Sequence, residues 1–343
     1  MSLNPSMITP DVSMNRVVIM HAPDLPDALR GKTAYQLVSR NYLMQIIEAD
    51  MPDLMIHPDP IPVFDNLLAQ GDPRALKIAD QLALHFFWFI YTLKFPHPEN
   101  QSARANWDES YWSFFANIKQ FIFGGGLMRG HIGAHMVAYT QARLGDACKL
   151  TISLYAPILP IIGAARHLPV DTQKALIFDF GQTAIKRAIA TYQTGVLTHL
   201  HILPTIPAPA FTGESQPDMV ADTIAHVIAQ TWRDFADDQT ALMIPASIAT
   251  YMKGQNPFGD RFYGAIISLA TEDTPTNIVL SRRVATQIGR DVDIHFIHDG
   301  TASARIYVGE ANTVVITMGT AFGIGFTNYD APLRPIADRL MID

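Results

Sequence analysis

Residues 175–186 read Ala-Leu-Ile-Phe-Asp-Phe-Gly-Gln-Thr-Ala-Ile-Lys, an apolar run that carries Asp179 near its end and breaks at Gly181. Ala175 to Phe180 has the composition of a buried strand, Gly181-Gln182-Thr183 that of a turn, and Ala184 to Thr191 that of a second strand. Gln193-Thr194-Gly195 turns the chain again into Val196 to Leu203, so the stretch predicts a β-meander. Candidate chemistry sits at its first hairpin. A carboxylate at a strand end can hold a hydrated Mg²⁺, and a glycine lets backbone approach a phosphate. The Thr183 hydroxyl, the turn N–H groups and Lys186 can meet phosphate oxygens. A plain hairpin with an Asp-Phe-Gly turn accounts for the same residues equally well.

On the C-terminal side, a helix is predicted after Pro217, with Met219, Val220, Ile224, Val227, Ile228 and Trp232 on one stripe. A strand from Ala241 to Ile244, a Gly- and Pro-rich loop at Gly254 to Gly259 and a helix near Ile278 to Gln287 follow. Val292 to Ile297 reads as a strand, with a short helix after Asp299. Thr313 to Met318 and Ile324 to Thr327 read as a hairpin around Gly319–Gly323. On the N-terminal side, Asp72 and Pro73 form a helix start, and that helix runs to about Lys94. Its run His85 to Leu93 is far short of the roughly 20 residues that span a bilayer, so it predicts a core helix. A helix from about 108 to 119, a strand Phe121–Phe123 closed by Gly124-Gly125-Gly126, and a helix to about Leu144 come next. Then come a strand Lys149–Leu154 and a helix Ile158–Leu168 interrupted early by Pro160. Strands followed by helices throughout predict α/β layers.

Three further stretches could carry chemistry. Gly319-Thr320-Ala-Phe-Gly323-Ile-Gly325 is a glycine-rich hairpin that could wrap N–H groups around a phosphate, although glycines also mark tight turns. Gly124-Gly125-Gly126, between strand and helix, could admit a flat adenine or ribose, or simply start the helix. Asp299 follows an apolar strand and precedes a helix; it is either an N-cap or a general base facing a cleft at the strand ends.

Composition narrows the classes. With 343 residues, 48% of them hydrophobic and 17% charged, the chain suits two well-buried lobes rather than a disordered segment. A net charge of -7 offers no footprint for nucleic acid. The single cysteine, Cys148, excludes a disulfide framework and a Cys-based zinc cluster, and a cytoplasmic setting is the expectation. Met1 to Pro26 has no sustained apolar stretch of the signal-peptide kind.

Together these motifs resemble the ROK family of sugar kinases and repressors, within the actin/hexokinase-like ATPase superfamily. Asp179 to Lys186 resembles its first phosphate motif, D-x-G-G-T-x-x-K, and Asp299 the catalytic aspartate of its N-D-A-N-A-A segment. Gly319 to Gly325 resembles the second phosphate motif, and Gly124 to Gly126 the adenosine motif. Ala142 to Asp146 and Ile161 to Arg166 resemble its closing segment, and Gly71 to Ala75 the stretch before the adenosine motif. The order is cyclically shifted, because the adenosine-like half precedes the phosphate-like half. The resemblance thus implies a two-lobed, ribonuclease H-like α/β fold, circularly permuted through Pro169–Lys174. Domain termini that lie close together tolerate such a rearrangement.

The implied large lobe joins 1–150 to 294–343, and the implied small lobe is 151–293. The implied activity is ATP-dependent phosphorylation of a sugar hydroxyl, with Asp299 as general base. Asp179, Gly181, Thr183, Lys186, Gly319, Thr320, Gly323, Gly124, Gly125 and Gly126 would bind nucleotide, and Asp179 would hold Mg²⁺ through water. His298 stands where the family has an asparagine that touches the sugar. ATP and Mg²⁺ are the implied cofactors, and no structural zinc is expected. A sugar-like small molecule is the implied partner, without nucleic acid or membrane, and a homodimer is open. Gln182 replaces the second glycine of the first motif, Ala321-Phe322 makes the second turn bulkier, and the family's E-x-G-H sugar segment is absent from Pro332 to Asp343 and from the Met20-His21 region. A sensor of the same fold that binds sugar or nucleotide without turnover is the alternative, and an actin-like polymer a third.

Overall fold

A computed structural model describes residues 10–209, 216–259, 262–328 and 332–343; the first nine residues of the Met1–Pro26 stretch lie outside them. The chain divides into two units. One holds Asp11–Ile158 and Glu310–Thr327, the other Leu159–Gly309 and Asn328–Asp343.

The first unit opens with β1 (Val18–Ile19) and β2 (Lys32–Thr33), an antiparallel pair. Seven helices follow: α1 (Ala34–Val38), α2 (Arg40–Asp50), α3 (Pro60–Ala69), α4 (Pro73–Lys94), α5 (Pro98–Ser102), α6 (Glu109–Asn117) and α7 (Gly130–Leu144). The start of α4 follows from local chemistry. The Asp72 carboxylate accepts from the N–H groups of Arg74 and Ala75, and Pro73 occupies the first turn, where no amide is needed. Apolar on nearly every side from His85 onward, α4 is buried, with Phe86 edge-on to Phe123 at 5.0 Å. Phe123 lies on β3 (Gln120–Gly124), which pairs in parallel with β4 (Lys149–Ile152).

The second unit begins with α8 (Leu159–Ala165), all seven residues of which are buried. β5 (Lys174–Phe180), β6 (Ala184–Gln193) and β7 (Val196–Pro207) form the antiparallel meander that the sequence predicts. Next come α9 (Pro217–Phe235), β8 (Met243–Ile248), a small hairpin of β9 (Tyr251–Lys253) and β10 (Asn256–Phe258), α10 (Thr276–Ile288), β11 (Asp293–His298) and α11 (Asp299–Ala304). β8 lies parallel to β5, and β11 parallel to β8. Alternate residues of these strands, such as Leu176, Phe178, Ile244, Ala246, Ile294 and Phe296, join the α9 stripe in one core. Met219 is off that stripe and half-exposed, whereas Val220, Ile224, Ile228 and Trp232 are buried. Asp179 and Ser247 alternate onto the opposite face.

The chain then returns to the first unit. β12 (Thr313–Met318) and β13 (Phe322–Phe326) form the predicted hairpin, and β12 pairs in parallel with β3, Thr317 opposite Gly124. β14 (Ile336–Ile342) goes back to the second unit and adds to β7, giving the sheet order β11-β8-β5-β6-β7-β14. The boundaries thus differ from the expected 1–150 plus 294–343 and 151–293. Residues 294–309 and 328–343 go with the second unit, because β11 and β14 are held there by main-chain pairing. Among the described residues no helix is long and apolar enough to cross a membrane.

Candidate active site

In the second unit β5, β8 and β11 run parallel and end together. Asp179 is in register with Ser247, Ser247 with Ile297, and Asp299 follows β11 directly. A polar row therefore lies at the carboxyl ends of three adjacent parallel strands, where open α/β sheets place their ligands.

The Asp179 side chain is buried but fully engaged. Its Oδ1 accepts from Ser247 Oγ at 3.0 Å, and its Oδ2 from Lys186 Nζ at 3.2 Å, Lys186 standing opposite it on β6. Each carboxylate oxygen has a second lone pair, so both partners leave acceptor capacity. An oxygen donor of this kind, beside a hydroxyl, fits a hydrated Mg²⁺. Gly181 closes the turn by donating to the carbonyls of Asp179 and Ala184, each at 3.1 Å, and Tyr263 Oη donates to Gly181 O at 3.0 Å. A Cβ on Gly181 would sit 2.8 Å from the Ala184 carbonyl oxygen, so the hairpin itself demands glycine there. Thr183 is exposed, and its carbonyl accepts from Ala208 N.

The N-cap of α11 is His298, not Asp299. β11 runs one residue further than the sequence suggests, and His298 Nδ1 accepts from the Thr301 amide at 3.1 Å. Burial holds the His298 ring neutral, its pKa pushed down to about 4. With its Nδ1 lone pair committed to Thr301, the proton of the neutral ring is on Nε2, which lies 3.3 Å from Asp299 Oδ1. The same oxygen accepts from the Gly300 amide at 2.6 Å. Tyr251 stacks on the imidazole at 5.9 Å. The Asp299 carboxylate is thus fixed by neighbours on both sides and remains about a quarter exposed. Beneath α11, the backbone of α8 comes so close that a Cβ on Gly163 would overlap the Ala302 carbonyl.

The first unit brings its two glycine turns together. Pairing of β3 with β12 puts Gly124–Gly126 beside Gly319–Gly323 although more than half of the chain separates them. Gly125 has φ +89°, and a Cβ there would overlap the backbone of Met318. Gly126 is different: it is exposed, and a Cβ would meet nothing within 4 Å. Gly319 is similarly open, with only Ala321 O at 4.0 Å, and Thr320 beside it is half-buried. Phe322 does not crowd the turn, because its ring is buried near Phe89 and Tyr35. Gly323 is buried within β13, opposite Thr317.

Three contributors escaped the sequence. Ser247 is a lone hydroxyl in an apolar strand, and that isolation was its signal. Tyr263 carried none. Asn15 clasps the glycine hairpin, accepting from Phe322 N at 2.8 Å and donating to Phe322 O at 3.1 Å. Its partner is 307 positions away, beyond any local pattern.

No family model and no curated protein matches the chain. Solved structures similar to it include a ROK hexokinase from Thermus thermophilus, at 18% identity and a TM-score of 0.30, covering 49% of this chain and 50% of that one. A candidate N-acetylmannosamine kinase from Listeria monocytogenes is similar at 21% identity and a TM-score of 0.28, covering 47% of this chain and 49% of that one. The chain spans about half the length of each.

Proposed function

We propose that this chain is an ATP-dependent kinase acting on a hydroxyl of a sugar or sugar derivative, a circularly permuted relative of the ROK kinases. The observation that carries the reading is the polar row at the ends of β5, β8 and β11, which sets Asp179 and Asp299 at the ends of two parallel strands of one sheet with only β8 between them. The permuted reading is supported by β3 and β12, which are neighbours in space although the motifs they bear are far apart in sequence and lie on either side of the meander.

Phosphoryl transfer asks a protein mainly for positioning and charge. Asp299 accepts the proton of the attacking hydroxyl. His298 and the Gly300 amide fix the direction of its carboxylate, so His298 acts on the substrate through Asp299. Asp179 is the residue that would hold Mg²⁺ through water; the ion, when bound, supplies positive charge to phosphate oxygens. Lys186 adds a second positive charge, and the N–H groups around Gly181 and Thr183 can donate to phosphate. In the first unit, Gly319 and Thr320 offer backbone donors, while the open side of Gly126 leaves room for the nucleoside. Gly124, Gly125 and Gly323 serve the fold of the two turns.

One observation favours a second reading. Lys186 is already paired with Asp179, and Gln182 replaces a glycine, an arrangement that suits a sensor without turnover. ADP release from Mg-ATP, followed across a panel of hexoses and acetamido sugars, separates the two. A kinase shows release that depends on one added sugar. Binding of a sugar or nucleotide without sugar-dependent ADP would leave the sensor.

A further inference from the structure

We propose that His21, His97 and Glu99 form a zinc-binding site in the first unit, tying the loop after β1 to the start of α5. Their ligand atoms all lie within 4.8 Å of one another. None of the three takes part in the chemistry assigned above, so the site stands or falls independently of the kinase reading.

The two segments are held in place by their own hydrogen bonds. Asn100, on α5 and wholly buried, accepts from the amides of Met20 and His21 at 2.8 Å each and donates to the His21 carbonyl at 2.9 Å. Trp88 on α4 donates to the Pro23 carbonyl at 2.8 Å and pins the far side of the same loop. Such a scaffold keeps the three side chains near one another without a ligand, which lowers the ordering cost of binding one.

The donor set selects the metal. Two imidazoles and one carboxylate suit Zn²⁺, which commonly takes three protein ligands of these types and leaves a position for water. Mg²⁺ and Ca²⁺ prefer all-oxygen shells. A zinc ion here departs from the expectation of no structural zinc, which rests on the single cysteine and takes no account of imidazole and carboxylate ligands.

Three existing interactions compete with the ion, and all are weak. The His21 and His97 rings are stacked, centroids 3.8 Å apart, so a ring must turn to aim its nitrogen at a shared ion. A neutral imidazole has one lone pair, and that of His97 now accepts a long 3.4 Å bond from the Glu99 amide at the start of α5. Glu99 also lies 4.0 Å from Arg30, an exposed pair of little energetic weight.

The test is equilibrium dialysis of the full chain against Zn²⁺, with Co²⁺ absorption as a second readout of ligand type. We expect a single zinc ion per chain. His97→Ala and Glu99→Gln should each weaken binding by at least about tenfold, the loss seen even for partners outside the ligand shell. Glu99 is exposed and His97 half-buried with only a long cap bond, so zinc-free melting temperatures should stay close to the wild type. Two imidazole–carboxylate contacts outside both sites, His135 with Asp80 and the His199 and His201 pair with Asp343, serve as controls. His135→Ala and the His199→Ala/His201→Ala pair should bind zinc as the wild type does. Absence of binding, survival of binding in a His97→Ala/Glu99→Gln variant, or its loss in the control variants would each overturn the site.

Discussion

Two hairpins built on the same plan, β5–β6 in one unit and β12–β13 in the other, differ in what they offer a ligand. The first sets a carboxylate and an ammonium across the strand pair, Asp179 against Lys186, and braces them with Ser247. The second offers main chain alone: Gly319 is open, Phe322 is turned inward, and Asn15 clasps the turn from behind. In sequence both are glycine turns followed closely by threonine. Their glycines nevertheless exist for different reasons. Gly181 lacks a Cβ because its own hairpin occupies the space, whereas among the described residues a Cβ at Gly126 would meet nothing within 4 Å and one at Gly319 only Ala321 O at 4.0 Å. A glycine that the fold does not need is the better candidate for contact with a ligand.

The largest effect should come from breaking the support of the charged row. Gly163→Val would push a side chain into the Ala302 carbonyl and drive α8 from α11. We expect a loss of about 3 kcal/mol or more in urea unfolding, at the upper end for overpacking. Gly125→Ala comes next, at about 2 kcal/mol, because φ +89° and the Met318 backbone both oppose a Cβ. A side chain at Gly125 is therefore no clean probe of nucleotide contact. An unchanged unfolding midpoint in either variant would contradict the close approaches described here.

Acid should weaken the second unit through its buried histidines. His298 and His167 are neutral when folded, with pKa values pushed down to about 4 and about 3 by burial, against 6.5 when unfolded. The unfolded chain therefore binds more protons below pH 6.5. Stability contributed by these rings is complete above that pH and is lost as pH falls toward 4 and 3, at up to about 1.4 kcal/mol per pH unit for each ring. His298→Asn keeps an N-cap and should flatten the pH dependence of the melting temperature between pH 6.5 and 4. A slope identical to the wild type would show that His298 is not buried neutral.

The smallest effect on stability is also the most informative about the nucleotide. Gly126→Ala and Gly319→Ala should change stability by less than about 0.5 kcal/mol, apart from the small propensity term. If these turns meet nucleotide, both should raise the dissociation constant for ATP measured by calorimetry, and unchanged affinity would remove them from the site.

How much of this could be read from sequence depended on how far each cause reaches. The start of α4 and the β5–β6–β7 meander were legible because Asp72-Pro73, Gly181 and Gly195 act on their immediate neighbours. α3 was not, since Pro58, Pro60 and Pro62 crowd its start, and α1 was not, since it is only five residues long and gives way to α2 at Ser39. β14 was missed because an edge strand is defined by the distant partner it pairs with. The cap of α11 was misread by one position, because an aspartate after a strand is the commoner cap and a histidine gives no such signal. The grouping of Asp179 with Ser247, and of Gly124 with Thr317, is a matter of register, which no local window contains.

The central claim is that Asp299 is a general base rather than part of a helix start, and Asp299→Asn tests it most directly. Because His298 supplies the cap, the substitution should leave folding and ATP binding intact while removing the proton acceptor. In a steady-state assay with the sugar that supports ADP release, turnover should fall by about 10²–10⁴, the range for loss of a positioned base. A folded Asp299→Asn protein that phosphorylates this sugar at the wild-type rate would contradict the account.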